Sequence, residues 1–304
     1  MRQETSYTIE ELADLLKVSK LTVYDLIKKG TLTAYRVGRQ MRVDEADLFT
    51  YKMKMKTTPP VKQEVTQSSA PHSLVISGQD VSMDMLSRLL EDELTVPPLR
   101  KYSGSLTNLV ELFHGKGDIV GLHLYDHDTK TYNVPYVKRV LTGQRYCLIH
   151  VVRRTAGLYV QKGNPKNIMG WKDMLRPEIR IVNREIGAGA RVLLDEKLKE
   201  IGATFTAING YDQVATSHHA IAAAVAANQA DVGVGTLQAA KLADIEFIPM
   251  IEEQYDVLIL KKDHTLNLIK TVKRILKSEF FIQMFQAMEG YDISQSGTVI
   301  EESE

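Results

Sequence analysis

The sequence predicts an α/β protein in two parts: a small N-terminal helical unit, and a larger domain in which strands alternate with helices. Short helical patterns and one hairpin fill the first fifty residues, and a polar, proline-containing stretch follows. Apolar runs then alternate with helical patterns, which is typical of an α/β fold with mostly parallel sheets. We therefore expect domains at residues 1–55 and 73–304, joined by a flexible linker at 56–72.

The composition is that of an ordinary globular chain. Of its 304 residues, 44% are hydrophobic and 25% are charged, with 38 basic and 38 acidic side chains. This balance predicts no general affinity for nucleic acids or membranes, although residues 1–56 hold eleven basic and eight acidic residues, a net of +3. Cys147 is the only cysteine, which excludes an internal disulfide and suits a reducing compartment. Without a leader or an apolar run of ~20 residues, the sequence predicts a cytoplasmic protein with no membrane partner.

Two short helices are predicted at the start of the first domain. Thr8 and Glu11 have the spacing of a capping box, which begins a helix. Ser19 is placed to cap a second helix over residues 21–29, after a tight turn. Two helices joined in this way form a helix-turn-helix pattern.

The stretch after the second helix predicts a hairpin, or wing, with a basic outer face. Two alternating segments flank Gly38, and pairing Val37 with Met41 places Arg36 and Arg42 together on the opposite face. The wing would then present three arginines on its face and tip: Arg36, Arg42 and Arg39.

The first domain resembles the excisionase-type helix-turn-helix family, relatives of the MerR winged helix. The resemblance covers Tyr7 to about Lys52 and is carried by the segments YTIEELADLLKVSKLTVYDLIKKG and LTAYRVGRQMRVDEADL. It implies binding to double-stranded DNA, with the second helix in the major groove and the wing on the backbone. The residues that it places at the DNA are Lys20, Leu21, Tyr24, Asp25 and Lys28 on the helix, and Arg36, Arg39 and Arg42 on the wing. Family members often carry basic residues where Leu21 and Asp25 stand, and contact with a protein is the alternative use of such a domain.

Apolar runs and helical spacing predict the elements of the larger domain. The expected strands are residues 74–76, 118–121, 146–152, 158–160, 230–235, 247–251 and 257–260. The expected helices are residues 81–90, a helix after Ser105 with Leu106, Val110 and Phe113 recurring on one side, residues 220–227, and most of residues 266–288.

Residues 180–201 read as a strand, a glycine turn and a helix. Gly187 and Gly189 form the turn, which aims free backbone N–H groups at one spot, and the helix dipole adds partial positive charge there. Arg184 and Arg191 flank that spot. The pattern predicts a seat for a small anion or a carboxylate, and a plain tight turn with two surface arginines is the alternative.

The larger domain resembles the periplasmic-binding-protein-like domain found behind such helix-turn-helix modules, a family similar to the molybdate-binding proteins of transporters. The resemblance runs from about Leu74 to Asp263 and is carried by ISGQD, SGSLTNLVEL, GDIVGLHLYDHDTKTYNVPYV, GLYVQKGNP, IVNREIGAGARVLLD, HHAIAAAVAANQADVGVGTLQAA and FIPMIEEQYDVLIL. It implies a type II periplasmic-binding-protein fold with two α/β lobes, crossing strands near residues 150–156 and 252–257, and a ligand in the cleft.

The resemblance also places several helix N-termini around that cleft. Hydroxyls and backbone N–H groups suit an oxyanion because they donate without neutralising it. The implied ligand-binding residues are Ser77, Gly78, Gln79, Ser105, Leu106, Ala188, Gly189, Ala190, Arg191, His218 and Thr236. Related proteins usually carry hydroxyl residues where Ala188 and Ala190 stand, so molybdate, tungstate and a small carboxylate all remain open as ligands.

The histidines are not expected to hold a metal. His218 and His219 are adjacent, so on a helix they point about 100° apart and one of them can face the cleft. The segment at residues 123–128 contains two histidines and two aspartates, and we interpret it as a structural loop. We therefore expect no metal and no cofactor other than the ligand itself.

These features predict a one-component transcriptional regulator. Closure of the cleft on a small ligand would change how the DNA-binding domains of a homodimer meet two half-sites. We expect no catalysis, because the sequence shows no nucleophile elbow, phosphate loop, zinc spacing or paired acid and base. Two other classes stay open: an enzyme or accessory protein of molybdenum-cofactor metabolism with a DNA-binding module, and a plain ligand-binding protein, which would require export.

Overall fold

The structure, a computed structural model, describes residues 6–38, 40–54, 73–94 and 97–304. The chain divides into two compact units, residues 1–69 and 70–304. The expected linker at residues 56–72 lies outside the described residues, and so does Arg39 at the expected tip of the wing.

The first unit combines short helices with a small antiparallel sheet. Its described elements are β1 (Ser6–Thr8), α1 (Ile9–Leu16), α2 (Lys20–Lys28), β2 (Tyr35–Val37), β3 (Gln40–Asp44) and α3 (Glu45–Lys54). The sheet has the order β1-β3-β2. Leu12 of α1, Val23 of α2 and Val43 of β3 are fully buried in one core, so the two helices and the hairpin fold as one body.

Both predicted helix caps are confirmed. The Thr8 backbone N–H donates to a Glu11 carboxylate oxygen (2.8 Å), and the Glu11 N–H donates to the Thr8 hydroxyl oxygen (3.3 Å). The Ser19 hydroxyl accepts the N–H of Thr22 (3.2 Å) at the start of α2. These bonds satisfy N–H groups that a helix cannot pair internally, which is why the helices begin at these residues.

The predicted register of the wing is wrong by one residue. Val37 pairs with Gln40, Arg36 with Met41 and Tyr35 with Arg42. The connection between the strands is therefore two residues long, and Gly38 has φ 61°, as the favoured two-residue hairpin turns require. A slip of one residue moves a side chain to the other face, so Arg36 and Arg42 lie on opposite faces of the hairpin.

The second unit is built from strands alternating with helices. Its strands are β4 (Val75–Ser77), β5 (Leu99–Lys101), β6 (Ile119–Leu122), β7 (Tyr125–Asp126), β8 (Thr131–Tyr132), β9 (Tyr146–Val160), β10 (Ile181–Arg184), β11 (Val214–Ala215), β12 (Val232–Thr236), β13 (Glu246–Leu260), β14 (Tyr291–Asp292) and β15 (Val299–Glu302). Its α-helices are α4 (Val81–Glu91), α5 (Ser105–Phe113), α6 (Val134–Val140), α7 (Gly189–Glu200), α8 (His218–Ala226), α9 (Leu237–Leu242), α10 (Leu266–Leu276) and α11 (Glu279–Gln286), and its 3₁₀ helices are Trp171–Leu175, Phe205–Ala207 and Asp263–Thr265.

Two long strands organise the second unit. β9 and β13 have 15 residues each and pair antiparallel along their whole length, within a sheet of order β11-β10-β12-β9-β13-β6-β4-β5. Apolar clusters on either side of their midpoints define two lobes. The first lobe contains β4–β6 with α4, α5, α10 and α11, and the second contains β10–β12 with α7, α8 and α9. Both strands run through the expected crossing segments at residues 150–156 and 252–257.

Three predictions for this unit are corrected. The strands expected separately at 146–152 and 158–160 are one strand, β9, and those expected at 247–251 and 257–260 are one strand, β13. The sheet is mixed and not mostly parallel, because β9 and β13 run antiparallel to each other and to neighbours on both sides. In α5 the chain buries Asn108, Leu109 and Leu112 and exposes Val110 and Phe113, so the expected apolar side is rotated.

Asn108 explains that rotation. Its side-chain amide donates to the backbone carbonyls of Ser103 (3.1 Å) and Gly121 (3.3 Å), and this fixes one face of α5 against β6. Among the described residues, no helix combines the length and the apolar composition needed to cross a bilayer.

Candidate functional site

A cavity of about 1000 Å³ opens between the two lobes of the second unit. The first lobe supplies the beginning of α4, and the second supplies the beginnings of α8 and α9. β9 adds Arg154 to the wall, and β14 adds Tyr291. Three of the expected ligand-binding residues line this cavity: Gln79, His218 and Thr236.

A buried ion cluster lies beside the cavity. Arg154 of β9 stands directly opposite Glu253 of β13, and its Nε donates to Glu253 Oε1 (2.7 Å). The same guanidinium pairs with Asp80, which caps the N-terminus of α4 by accepting the N–H of Ser82 (2.7 Å). The Tyr291 hydroxyl also donates to Asp80 (2.9 Å). One arginine thus ties both crossing strands to the start of a first-lobe helix.

Burial and pairing set the charges in this cluster. Burial alone raises the pKa of Glu253, but the positive charge of Arg154 and the nearby His123 ring outweigh it and lower the pKa to about 2. Burial alone lowers the pKa of Arg154, but Glu253 and Asp80 raise it well above its usual value. Glu253 is therefore ionised at neutral pH, and Arg154 keeps its positive charge.

The second cleft arginine is also paired. Arg184 ends β10 and is almost fully buried. Its guanidinium donates to the Glu185 carboxylate (2.7 and 2.8 Å), to the Thr216 carbonyl (3.2 Å) and to the side-chain oxygen of Gln79. Burial raises the pKa of Glu185, but Arg184 lowers it below the usual value, so this carboxylate is also ionised at neutral pH. Both buried arginines are therefore already neutralised by carboxylates of the chain.

The two glycine turns expected to hold the ligand lie against each other. The Leu106 N–H at the start of α5 donates to the Gly187 carbonyl (2.9 Å) before α7. A side chain on Gly104 would lie 2.7 Å from Ala188, and one on Gly189 would overlap the ring of His123. Both helices lack a side-chain cap. The structure therefore brings the turns at Ser105–Leu106 and Ala188–Gly189 into contact with each other and with His123, and it buries Ala190 in the second-lobe core.

Arg191 lies away from the large cavity. Its guanidinium donates to the Arg184 carbonyl (3.0 Å) and sits 4.5 Å from the centre of the Tyr211 ring. Both contacts hold this side chain against the end of β10 and Tyr211. Arg154 lines the cavity and Arg184 bonds to Gln79 and Thr216 of its wall, whereas Arg191, expected to supply the one charge near the ligand, is not among the lining residues.

His218 lines the cavity and carries one polar atom that no protein group uses. Its Nδ1 is buried and has no hydrogen-bond partner among the described residues. Burial, together with the positive charges of Arg184 and Arg154, lowers the pKa of His218 well below 6.5, so the ring is neutral at physiological pH. A neutral ring nitrogen at a helix N-terminus can donate one hydrogen bond to a ligand. The adjacent His219 is exposed.

Ser77 and Gly78 are buried at the end of β4, outside the cavity wall. The Ser77 hydroxyl has no partner among the described residues. A side chain on Gly78 would lie 2.5 Å from the Tyr255 hydroxyl, so this glycine leaves room for the Tyr255 side chain.

The histidine-rich loop is tied to protein groups. His123 Nδ1 lies 2.8 Å from Glu253 Oε2, and His127 Nδ1 lies 2.6 Å from Glu196 Oε2. Asp126 accepts the backbone N–H and the hydroxyl of Thr129. In the described part of the chain, no three His, Cys, Asp or Glu side chains are grouped to hold a metal ion.

Sequence reasoning missed Asp80, Arg154 and Glu253. A signal was present, because the crossing segments carry the dipeptides RR at 153–154 and EE at 252–253. Opposite charges on facing antiparallel strands attract each other. If the two segments are taken as neighbouring antiparallel strands, the arginines of one are expected to face the glutamates of the other.

The candidate DNA surface lies on α2 and the hairpin of the first unit. Leu21, Tyr24, Asp25 and Lys28 are exposed, as expected for the helix that enters a groove. The other residues expected at the DNA are placed as follows: Lys20 pairs with Glu10 of α1, Arg36 is exposed, Arg42 donates to the Ser6 hydroxyl (3.2 Å), and Arg39 lies outside the described residues.

Comparison with known families agrees with these two units. A PBP superfamily domain matches residues 87–277, which is more than half of the chain, and a helix-turn-helix domain matches residues 6–56. The chain belongs to the PBP superfamily. Its PBP domain has the curled two-lobed α/β architecture of a type II periplasmic-binding-protein fold, and a DNA-binding helix-turn-helix domain precedes it.

Individual relatives extend the match. A Bacillus subtilis (strain 168) protein named "Uncharacterized protein YvgK" is 54% identical over an alignment of 311 positions that covers 100% of both chains. The sulfate-binding protein SubI from Mycobacterium tuberculosis H37Rv is 14% identical, with a TM-score of 0.50, covering 72% of this chain and 86% of SubI. An ABC-type phosphate transport receptor from Vibrio cholerae is 16% identical, with a TM-score of 0.48, covering 72% and 98%. At 14% identity the SubI structure bears on the fold alone.

The ion cluster predicts a large difference between two adjacent arginines. Arg154→Met leaves Asp80 and Glu253 buried without a counter-charge and should cost about 3–5 kcal/mol of unfolding free energy. Arg153→Met, at the exposed neighbouring position, should cost less than about 1 kcal/mol. The free energy of unfolding of the PBP domain is measured on the full chain by urea unfolding. The signal is the fluorescence of Trp171, the only tryptophan. Equal losses in the two variants would contradict this role of Arg154.

Proposed function

We propose that this protein is a ligand-responsive transcriptional regulator that binds double-stranded DNA through its helix-turn-helix domain. One observation carries the proposal: a single chain joins that domain to a PBP domain with a cavity of about 1000 Å³ between its lobes. Neither family match is to a catalytic domain, so we propose a binding protein and not an enzyme. A regulator of this kind acts in the cytoplasm, and we propose a homodimer on two half-sites.

The proposed ligand is a small anion held by neutral donors. His218 presents a buried, unpartnered ring nitrogen at the N-terminus of α8. The first N–H groups of a helix have no partner within the helix, and its dipole favours negative charge there. Thr236 and Gln79 line the same cavity and add a hydroxyl and an amide.

The charges around the cleft bear on which anion binds. Asp80, Glu253 and Glu185 already neutralise Arg154 and Arg184. A doubly charged oxyanion such as molybdate, tungstate or sulfate would be repelled by these carboxylates. Neither buried arginine has positive charge left to offset that repulsion. A small carboxylate carries half that charge and has less repulsion to overcome. We therefore propose a small carboxylate ahead of a tetrahedral oxyanion.

Regulation would follow from movement of one lobe against the other. β9 and β13 are the continuous connections between the lobes, and β13 shifts its register against β9 between Tyr255 and Asp256, inside the expected crossing. Ligand that contacts both lobes favours the closed arrangement. It can change DNA affinity only by the difference between its affinities for the two arrangements.

For the DNA interface, we predict that Arg36 contacts phosphate and that Arg42 contributes less. Replacing Arg36 with Ala removes an exposed charge and should reduce the slope of log K against log salt by about one unit. The Arg42→Ala control removes a side chain that already donates to Ser6 and should change the slope less. Fluorescence anisotropy of a random-sequence duplex between low and physiological salt measures both slopes. If the salt slope is unchanged in both variants, these two wing arginines do not contact the DNA phosphates.

For the cleft, we predict that His218 matters and Arg191 does not. His218→Phe keeps a ring of similar shape but loses the donor, so ligand affinity should fall roughly tenfold or more. Arg191→Met should leave affinity unchanged, because this side chain faces Tyr211.

Isothermal titration with acetate, lactate, molybdate, tungstate and sulfate tests this prediction. Carboxylate binding that is weakened only by His218→Phe would support it. If Arg191→Met weakens binding and His218→Phe does not, the ligand binds at the glycine turn before α7 and this prediction is wrong. Absence of binding by all five anions would refute the proposed ligand class.

A further inference from the structure

The exposed face of α2 has an unusual chemistry for a helix that enters DNA. Leu21 is 78% exposed and Tyr24 is 50% exposed, whereas Val23 on the other side is fully buried. Asp25 is one helical turn from Leu21, so the two side chains share a face, about 6 Å apart. Among the residues that the structure describes, Asp25 has no hydrogen bond or ion pair through its side chain. An apolar side chain and a free carboxylate therefore stand side by side on the groove-facing surface.

The lysine at the start of this surface is paired within the protein. Lys20, at the start of α2, pairs with Glu10 of α1. Lys28 lies two turns further along, at the end of the helix. Guanine is most commonly read by Arg or Lys donating to its two acceptor atoms in the major groove. In the first two turns of α2 the one described side chain of that kind is Lys20, which would have to leave Glu10, and Asp25 on the same face repels the guanine acceptors, so guanine is a less favoured partner there.

The face matches a different pair of bases. Thymine alone carries a methyl group in the major groove, which suits an apolar contact, and cytosine presents an N4 amino donor, which suits a carboxylate acceptor. A carboxylate is repelled by the acceptors of guanine and by phosphate. We propose that Leu21 contacts a thymine methyl group and that Asp25 accepts a hydrogen bond from a cytosine N4 amino group. This proposal rests on the proposed DNA-binding function.

The spacing of the two bases follows from the helix. Side chains four residues apart are separated by about 6 Å, and successive base pairs by about 3.4 Å. The thymine and the cytosine therefore lie one or two base pairs apart in each half-site. Lys28 and Lys29 at the end of α2 and Arg36 on the wing are exposed and supply charge for the flanking phosphates. This basic border favours DNA over a protein partner for the apolar patch.

Selection of binding sites from a randomised duplex library, using the full-length protein, supplies the test sequence. Each thymine is then replaced singly with deoxyuridine, which differs only by the missing methyl group. At one position the replacement should weaken wild-type binding about fourfold, the value of one buried methyl group. Leu21→Ala should bind the thymine and deoxyuridine duplexes equally. Because Leu21 is exposed, circular dichroism should show the variant folded.

The cytosine is tested in the same duplex. Replacing it, with its paired guanine, should weaken the wild type at least about fivefold, and Asp25→Ala should lose that preference. Lys29→Ala serves as the control, because it should weaken all duplexes alike. Sequence-specific binding that ignores deoxyuridine at every position, or a deoxyuridine effect that persists in Leu21→Ala, overturns this inference and leaves DNA binding intact. Failure to bind any duplex overturns the DNA-binding function, and this inference with it.

Discussion

The pairing of Arg154 with Asp80 and Glu253 is the interaction on which the PBP domain depends. A buried guanidinium is stable only if carboxylates neutralise it and accept its N–H groups. Here the two partners come from β13 and from the N-terminal cap of α4. The same contacts hold the two crossing strands in register and set the start of a helix that lines the cleft. Stability of the domain and shape of the site are therefore fixed by one group.

This constraint also decides how the cleft can hold a ligand. Because Arg154 and Arg184 are occupied by carboxylates of the chain, a ligand must be held by groups that remain unused. His218 is such a group, and although its lowered pKa keeps the ring neutral, one ring N–H remains to donate to a ligand. The Leu106 N–H donates to the Gly187 carbonyl, so the turns before α5 and α7 touch. The space where the glycine pattern predicted an anion is therefore occupied by the protein itself.

Local chemistry was readable from the sequence, and long-range pairing was not. The caps at Thr8 and Ser19 depend on residues three positions away, so spacing alone predicted them. The wing register failed because apolar alternation favours pairing Val37 with Met41, whereas the two-residue turn pairs Val37 with Gln40, and the turn length decides. The charged dipeptides at 153–154 and 252–253 come directly after the expected strands 146–152 and 247–251, and the partner of each lies about a hundred residues away. The direction of Arg191 depends on Tyr211, which no local pattern identifies as its neighbour.

Coupling between the two domains is the central claim, and it is tested by one linked pair of titrations. The affinity of full-length protein for its selected DNA site is measured by anisotropy, with and without a saturating concentration of the anion that binds most tightly. The affinity for that anion is measured with and without DNA. The account predicts that each ligand changes the affinity for the other by the same factor, because binding free energies are reciprocal. DNA affinity that stays constant while the cleft is filled would contradict it.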